Sequence, residues 1–358
     1  MRRAGVSDWS GFVRIVDGAT GAVLFTAPAP ETLARAHDAN PRGGTRGARG
    51  VAVTGDRLLV ANTDRVLVLD PMWRVQAELS HALVGGIHEL LADPDGVWIS
   101  STLADLAVKL DWDGTLIDEW EWRRDDGLRA ELGLARVRPV DRRVDFRRPA
   151  VMHTGVRNLV HLNAVARTPG GEMLVSLGRV LSRRTYRQQH LAGIAGRMAA
   201  RVRDPSHRRH TTSSGPIPAS RLPGSSAAIV ALDAAKRARI VYRQHDIEVP
   251  NHNVVPWRAR YVFCDSSASR VAVSAPSNSS IELTVAIPGD PPFVRGMTLV
   301  DDHRILVGCQ QPAAVYLVDL DTAEIQRTFP LDGAAGESVY AITLLPDHFT
   351  VPQRASWL

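Results

Sequence analysis

Three histidines occur in short phrases of one kind at widely separated places in the chain. The phrases are Ile87-His88-Glu89, His161-Leu162-Asn163 and His252-Asn253-Val254, and in each a carboxylate or amide follows the imidazole. Three imidazoles at one point can bind Zn²⁺, Fe²⁺ or Mn²⁺ and leave a coordination position open for water or substrate. The residue types therefore predict a divalent metal site with His88, His161 and His252 as its ligands.

The oxygen-bearing residues of the same phrases define an alternative site. The turn that follows the His161 phrase is longer than the other two turns, so His161 is open to displacement along its strand. In that case Asn163 faces the same point as Glu89 and Asn253. Such an oxygen-rich set suits Ca²⁺. The sequence leaves both ligand sets open.

Each phrase begins a repeating unit of strands. An apolar strand, a tight Asp/Gly/Pro turn, a second strand ending in small polar residues and a third strand recur along the chain. The first strands begin near Val51, Leu90, Ala164, Val254, Met297 and Ala341. Uninterrupted neighbours start about 40 to 45 residues apart, which is the period of a four-stranded propeller blade. The sequence predicts an all-β fold, a six-bladed β-propeller.

The two ends of the chain are predicted to complete the ring. The sixth unit stops soon after the turn Pro346-Asp347, and the N-terminus offers a spare hairpin of residues 12–16 and 22–25. Pairing this hairpin with the last blade would close the ring and remove exposed strand edges. We therefore predict a single domain that spans residues 1–358.

Further polar groups are expected at the mouth of the central channel, just before the innermost strands. Arg49 and Arg295 occupy such positions and suit bidentate binding of an anionic substrate. Asn163 and Asn253 are further substrate-binding candidates. These groups predict a small anionic substrate.

Three residues near the same mouth are candidates for proton transfer. Glu89 and Glu337 could orient a ligand imidazole or serve as the general base. Tyr340 could donate a hydrogen bond or a proton. We predict these three as the catalytic residues.

Two charged, arginine-rich stretches interrupt the repeat, at residues 119–158 and 182–225. Helices are predicted within them at residues 128–134 and 186–202. Long insertions on a propeller are usually loops over one face. The 182–225 insertion is the segment through which a protein partner would bind.

Composition narrows the classes of partner and location. The net charge is +5, but all except two of the 43 basic residues are arginine, as biased codon usage in a GC-rich genome would also give. No aromatic stacking platform accompanies the arginines, which disfavours nucleic acid. Cys264 and Cys309 follow apolar runs and are predicted to be buried, reduced thiols. Because no apolar segment suits a membrane span or a signal peptide, we expect a cytoplasmic protein without membrane partners.

The order of the motifs resembles a bacterial family of predicted six-bladed propellers that carry a domain of unknown function. Members have the phrases HD, CHLNG, PHSP, FxRGL and EIYD in that order. The matching phrases run from about residue 84 to 346 and are Ile87-His88-Glu89, His161-Leu162-Asn163, Pro250-Asn251-His252, Phe293-Val294-Arg295-Gly296 and Glu337-Ser338-Val339-Tyr340. Glu89 stands in place of the usual Asp, Val160 in place of Cys and Asn253 in place of Ser. The resemblance implies the fold and the axial positions of these residues.

Two looser similarities concern the site. Peptidyl-hydroxyglycine amidating lyase is a propeller that holds zinc on its axis with three histidines, beside an arginine and a tyrosine. The resemblance implies these roles for His88, His161, His252, Arg295 and Tyr340. Gluconolactonase-like propellers, with an axial Glu/Asn/Asp metal site, are the analogue of the oxygen-rich set. A shared fold does not by itself determine function.

Two functional hypotheses follow. The first is a metal-dependent lyase or hydrolase that acts on a small anionic molecule at the channel mouth. The alternative is a non-enzymatic binding module for a protein or carbohydrate, in which the axial polar cluster holds ordered water.

Overall fold

The computed structural model describes most residues of the chain. They are residues 11–32, 49–134, 137–148, 158–182, 185, 224–275, 280–289, 293–310, 313–331 and 339–357.

The described residues form five four-stranded antiparallel sheets, here called blades 1 to 5, and one two-stranded hairpin. The hairpin consists of β1 (Phe12–Val16) and β2 (Val23–Pro28). Blade 1 contains β3 (Val51–Thr54), β4 (Arg57–Ala61), β5 (Val66–Leu69) and β6 (Val75–Leu79). Blade 2 contains β7 (Ile87–Asp93), β8 (Gly96–Ser101), β9 (Leu106–Leu110) and β10 (Leu116–Trp120).

The other three blades have the same composition. Blade 3 contains β11 (Leu162–Arg167), β12 (Met173–Val180), β13 (Ser226–Leu232) and β14 (Ala238–His245). Blade 4 contains β15 (His252–Trp257), β16 (Arg260–Asp265), β17 (Arg270–Ser274) and β18 (Ile281–Ala286). Blade 5 contains β19 (Phe293–Leu299), β20 (Arg304–Gln310), β21 (Ala314–Asp319) and β22 (Glu324–Pro330).

Burial follows the place of each strand in its blade. The middle strands β8, β9 and β13 are buried along their whole length, because neighbouring blades cover both of their faces. The outermost strands β18 and β22 alternate between more and less exposed side chains, as expected for a sheet edge with one wet face. The first strands β3, β7, β11, β15 and β19 contact one another in chain order. This is the arrangement of a β-propeller around a central channel.

The prediction of six blades is wrong, because the described residues contain five four-stranded blades. Residues 339–357 form no strand, and β1 and β2 pair only with each other. The predicted pairing of this hairpin with the last strands is therefore not observed. The apolar side chains of the tail are buried by packing: Phe349 and Ala355 form one cluster with Phe25 of β2 and with Trp73 of blade 1. Side-chain packing alone therefore removes these apolar groups from water, without strand pairing.

The described part of the first insertion packs against the propeller core. A short 3-10 helix (Trp122–Arg124) leads into α1 (Asp126–Glu131). Asp125 is the N-cap of α1, and its side chain accepts a hydrogen bond from the Leu128 amide. Trp122 and Leu128 are buried in the cluster between blades 2 and 3. The helix predicted at residues 128–134 therefore exists but lies earlier in the chain. The helix predicted at residues 186–202 lies outside the described residues.

Two smaller expectations concern cysteines and membrane spans. Cys264 and Cys309 are both free and buried, as predicted. Among the described residues, no helix has both the length and the apolar character that a membrane span requires.

Candidate metal centre

Four of the inner strands carry a register irregularity where they start at the channel mouth. The shifts lie between Ile87 and Leu90, Leu162 and Ala164, His252 and Val254, and Val294 and Met297. A bulge adds a residue to one strand and re-aims the neighbouring side chains. The four bulges therefore determine where the polar groups of the mouth point.

The bulges also define the relative positions of the three histidines. Glu89, Asn163 and Asn253 each lie within the bulge of their strand. His88 and His252 directly precede these residues, whereas His161 lies one residue further back. The displacement of His161 along its strand, which its longer turn permits, is thus present. A positive φ of 47° at His161 accompanies this displacement.

The three imidazoles meet in spite of this difference in register. The ring centroids of His88 and His161 are 5.1 Å apart, and those of His161 and His252 are 6.0 Å apart. One ring nitrogen of each histidine lies within 4.8 Å of the corresponding nitrogens of the other two. The predicted three-histidine cluster is therefore present, built from three neighbouring blades.

Hydrogen bonds to the second ring nitrogen orient two of these imidazoles. Nδ1 of His88 lies 2.8 Å from the carbonyl oxygen of Gly86, which can only accept. Nδ1 of His252 lies 2.9 Å from the hydroxyl of Ser266, and this hydroxyl donates its own proton to the carbonyl of Val294. Both Nδ1 atoms therefore carry the ring proton, and both Nε2 atoms keep a lone pair for a metal.

The third imidazole has an amide partner. The side-chain amide nitrogen of Asn158 lies 2.8 Å from Nδ1 of His161 and donates to it in this orientation, so Nε2 carries the ring proton. The buried Asn158 oxygen has no hydrogen-bond partner among the described residues. Exchange of the two amide atoms would let this oxygen accept an Nδ1 proton and would give His161 the same Nε2 lone pair as the other two histidines.

The surroundings of the cluster favour neutral rings. Burial lowers the pKa of all three histidines well below the usual value, and nearby arginine charges lower it further. Arg295 is the largest charge acting on His88 and His252, and Arg179 is the largest acting on His161. Neutral imidazole is the form that binds a metal ion.

The donor set fits a divalent ion. Metal–imidazole bonds of about 2.0–2.1 Å require ligand nitrogens roughly 3.4 Å apart in a tetrahedral site, so these rings need to close in by less than about 1 Å. Three neutral nitrogen donors are the usual protein ligands of a catalytic zinc site with one open position. His88, His161 and His252 are thus the residues that could hold the metal.

Tyr340 lies beside this cluster between two guanidinium groups. Its hydroxyl is 3.3 Å from Nε2 of His88 and accepts a hydrogen bond from Nη1 of Arg49. The Cζ atoms of Arg49 and Arg295 lie 4.5 Å and 3.2 Å from the centroid of the tyrosine ring. Burial lowers the pKa of Arg295 to about 10, which still leaves it charged at neutral pH. The structure therefore brings Arg49, Arg295 and Tyr340 together with the histidines.

The amides and the glutamate of the bulges bind each other or the backbone. Asn253 donates to Glu89 over 2.8 Å, and its oxygen accepts the Gly296 amide proton over 2.8 Å. Asn163 donates to the carbonyl of Asn251 over 2.5 Å. The Asn253 oxygen is engaged by the Gly296 amide, whereas the Asn163 oxygen and the second Glu89 oxygen have no hydrogen-bond partner among the described residues. Three side-chain oxygens are fewer than the six to eight ligands that Ca²⁺ takes.

Glu89 bonds to Asn253 rather than to an imidazole, so the predicted orienting role toward a histidine is not observed. Desolvation raises the pKa of Glu89 to about 8, against the opposing effects of the Asn253 hydrogen bond and the Arg295 charge. Its second oxygen is buried and has no hydrogen-bond partner among the described residues. Glu337, the other predicted base, lies outside the described residues.

Two residues near His161 were not found by sequence reasoning. Asp105, in the turn before β9, accepts hydrogen bonds from the amides of Leu159, Val160 and Leu162. Arg179, near the end of β12, donates its backbone amide proton to the carbonyl of Val160. Neither residue belongs to a histidine phrase, and nothing in the local sequence places them beside one.

Fold and site together define a β-propeller with a three-histidine cluster at one mouth of its channel. No protein-family model matches the chain, and no curated protein matches it. Among solved structures, the chain is similar to one in a nidogen/laminin complex, with a TM-score of 0.50 and 10% identity over 87% of this chain and 84% of that one. This similarity supports the propeller fold and, at such low identity, nothing about activity.

Two further solved structures are similar to a smaller extent. One is virginiamycin B lyase from Staphylococcus aureus, with a TM-score of 0.44 and 10% identity over 80% of this chain and 71% of that one. The other is a protein of unknown function from Bacteroides caccae, with a TM-score of 0.45 and 12% identity over 79% of this chain and 76% of that one.

The bond from His252 to Ser266 gives a first prediction. Ser266→Ala removes the acceptor that orients the ring, so zinc affinity is expected to fall about 10- to 100-fold, as for other partners of ligand imidazoles. The measurement is competition for Zn²⁺ with a chromophoric chelator. Ser267→Ala is the matched control, because Ser267 bonds to the backbone of Glu248 and Val249 and to no imidazole. Equal affinities in the two variants would count against this role of Ser266.

Proposed function

We propose that this protein is a metal-dependent enzyme, a lyase or a hydrolase, that acts on a small anionic molecule at the three-histidine site. The observation that carries the proposal is the convergence of three imidazoles from three blades, with ring nitrogens within 4.8 Å of one another. Each of their Nδ1 atoms has a hydrogen-bonding partner. With the Asn158 oxygen turned toward His161, all three rings would present an Nε2 lone pair to the same point.

Nitrogen ligands favour Zn²⁺, Fe²⁺ or Mn²⁺ over Ca²⁺ at this site. The engaged oxygen of Asn253 argues in the same direction. A divalent ion bound here would supply Lewis-acid polarisation of a substrate oxygen.

Arg49 and Arg295 form the anion-binding part of the proposed site. Both guanidinium groups lie against Tyr340 and so within a short distance of His88. Arg295 is buried, and a buried guanidinium binds a carboxylate or a phosphate more strongly than an exposed one because less water competes. These two residues would orient the substrate next to the histidines.

Tyr340 is the proposed proton-transfer residue. Its hydroxyl lies next to His88 and accepts a hydrogen bond from Arg49, so it is positioned at the edge of the histidine cluster. In a lyase the phenol would donate a hydrogen bond or a proton to the departing group. In a hydrolase the phenol would give a proton to the leaving group.

The experiment is an activity screen of the zinc-, iron- and manganese-loaded full chain against small anionic esters, lactones and hydroxy acids. Activity is expected to disappear on chelation and to return with the metal. Tyr340→Phe is expected to lower kcat at least ~100-fold, since positioned acid–base groups contribute about 10²–10⁴-fold, and to leave the metal content unchanged.

Tyr316→Phe is the control for that substitution. The hydroxyl of Tyr316 bonds to the carbonyl of Pro288, in the core of blades 4 and 5. An activity that persists without metal, or that is equal in the two tyrosine variants, would contradict the proposed function.

A further inference from the structure

A third arginine, Arg179, lies at the same mouth beside His161. It is the penultimate residue of β12, and its backbone amide donates to the carbonyl of Val160 over 3.1 Å. The preceding residue, Gly178, donates to the carbonyl of His161 over 3.1 Å. The backbone therefore holds Arg179 directly against the segment that carries this histidine.

The guanidinium of Arg179 forms no ion pair with a carboxylate among the described residues. Its Nε and Nη1 atoms are buried and have no hydrogen-bond partner among the described residues. Asp105, the one acid whose charge acts on Arg179, already accepts three backbone amide protons and pairs with Arg123 over 3.0 Å. Burying donors of a charged group without partners is costly, and such a group is a binding site for an anion.

Arg179 and the Arg49–Arg295 pair are held by different elements of the site. Arg49 and Arg295 lie against the ring of Tyr340, whose hydroxyl is 3.3 Å from Nε2 of His88. Arg179 lies on the strand whose backbone is bonded to Val160, the residue before His161. The site thus offers one cationic position next to Tyr340 and a second next to His161.

We propose that the substrate of this site carries two anionic groups, one bound by Arg49 and Arg295 and the other by Arg179. The inference rests on the proposed function and specifies its substrate class. Dicarboxylates and phosphorylated or phosphonylated carboxylates share this chemistry. A monoanion would leave one buried guanidinium without its partner and would lose affinity for that reason.

The test is calorimetric titration of the full chain, zinc-loaded and zinc-free, with malonate, succinate, glutarate and phosphonoacetate, and with the monomethyl ester of each diacid. At least one dianion is expected to bind wild type ten times or more tightly than its monoester. Arg179→Gln is expected to abolish this preference and to leave monoester affinity within about 2-fold, because the single anionic group of the monoester is bound by Arg49 and Arg295 and not by Arg179. Whether phosphonoacetate or a dicarboxylate binds more tightly tells which anion occupies the second position.

Two further variants make the result decisive. Arg143→Gln is the control, since Arg143 is 91% exposed, and it should keep the full preference. Arg179→Lys keeps the positive charge, so it should retain part of the preference for the dianion. Such partial retention would show that the loss in Arg179→Gln comes from the missing charge and not from unfolding. No preference for any dianion in wild type, or a preference that survives Arg179→Gln, would overturn the inference.

Zinc content of the same samples separates this inference from the proposed function. A protein that binds zinc but shows no dianion preference keeps the metal site and refutes the role of Arg179. A protein that binds no zinc refutes the proposed function, and the titrations of zinc-free protein still decide the role of Arg179.

Discussion

His252→Ala is expected to lower the affinity of the protein for Zn²⁺ more than 100-fold. His252 is the most buried of the three proposed ligands, and Ser266 holds its ring in the orientation a metal requires. Structural zinc sites bind with apparent free energies of roughly 10–16 kcal/mol, or about 3 kcal/mol for each of four ligands. Loss of one ligand at about 1.4 kcal/mol per tenfold change therefore corresponds to more than a hundredfold.

The measurement is competition with a chromophoric chelator, on full-length protein without a histidine tag. His348→Ala is the control, because His348 is a half-exposed histidine that contacts Asp56 and is not part of the cluster. Its affinity should equal that of wild type. If the His252 variant bound zinc as tightly as the His348 variant, His252 would not be a ligand.

Asp105→Ala is expected to lower the free energy of unfolding by about 3–5 kcal/mol, as is typical when one partner of a buried ion pair is removed. The substitution leaves Arg123 in the core without its carboxylate and also removes the acceptor of three backbone amide protons. Desolvation raises the pKa of Asp105, so burial of this carboxylate is itself costly. The change is severe because three backbone amides lose an acceptor and Arg123 loses the Asp105 carboxylate, while its bond to the Ala104 carbonyl remains.

Urea denaturation measures this effect, with Asp347→Ala as an exposed control that should change stability by less than about 0.5 kcal/mol. Because Asp105 holds the amides on both sides of His161, the variant that remains folded should also bind zinc more weakly than wild type. Stability within 1 kcal/mol of wild type would show that Asp105 is not the acceptor that holds this segment.

The strands were predictable where an apolar run and a turn occur together. They were not predictable where apolar side chains pack without forming a strand. Inner strands such as β7 and β15 follow from an apolar run that ends at a turn. The segment that starts at Ala341 shows the same pattern, yet it forms no strand: Leu345 packs with β2 and blade 1, while Leu344 is exposed. An apolar run indicates burial and does not say which backbone hydrogen bonds accompany it.

The three histidines of the site were predictable from the sequence. The residues that bond to them or hold their segments in place were not. Three histidine phrases at strand starts predicted the cluster. The displacement of His161 favoured the oxygen-rich set in the sequence, whereas in the structure the displaced imidazole still reaches the other two. Ser266 and Arg179 lie on or after second strands, and Asp105 lies in a turn of another blade. These residues reach the histidines only through contacts across blades or between strands, and no local pattern records such contacts.

The most direct test of the account is anomalous diffraction at the zinc edge, from crystals of untagged protein equilibrated with Zn²⁺. We expect one strong peak between His88, His161 and His252, about 2.0–2.1 Å from one nitrogen of each ring. If there were no peak at that position while the three rings stayed clustered, the metal centre and the enzyme built on it would be contradicted.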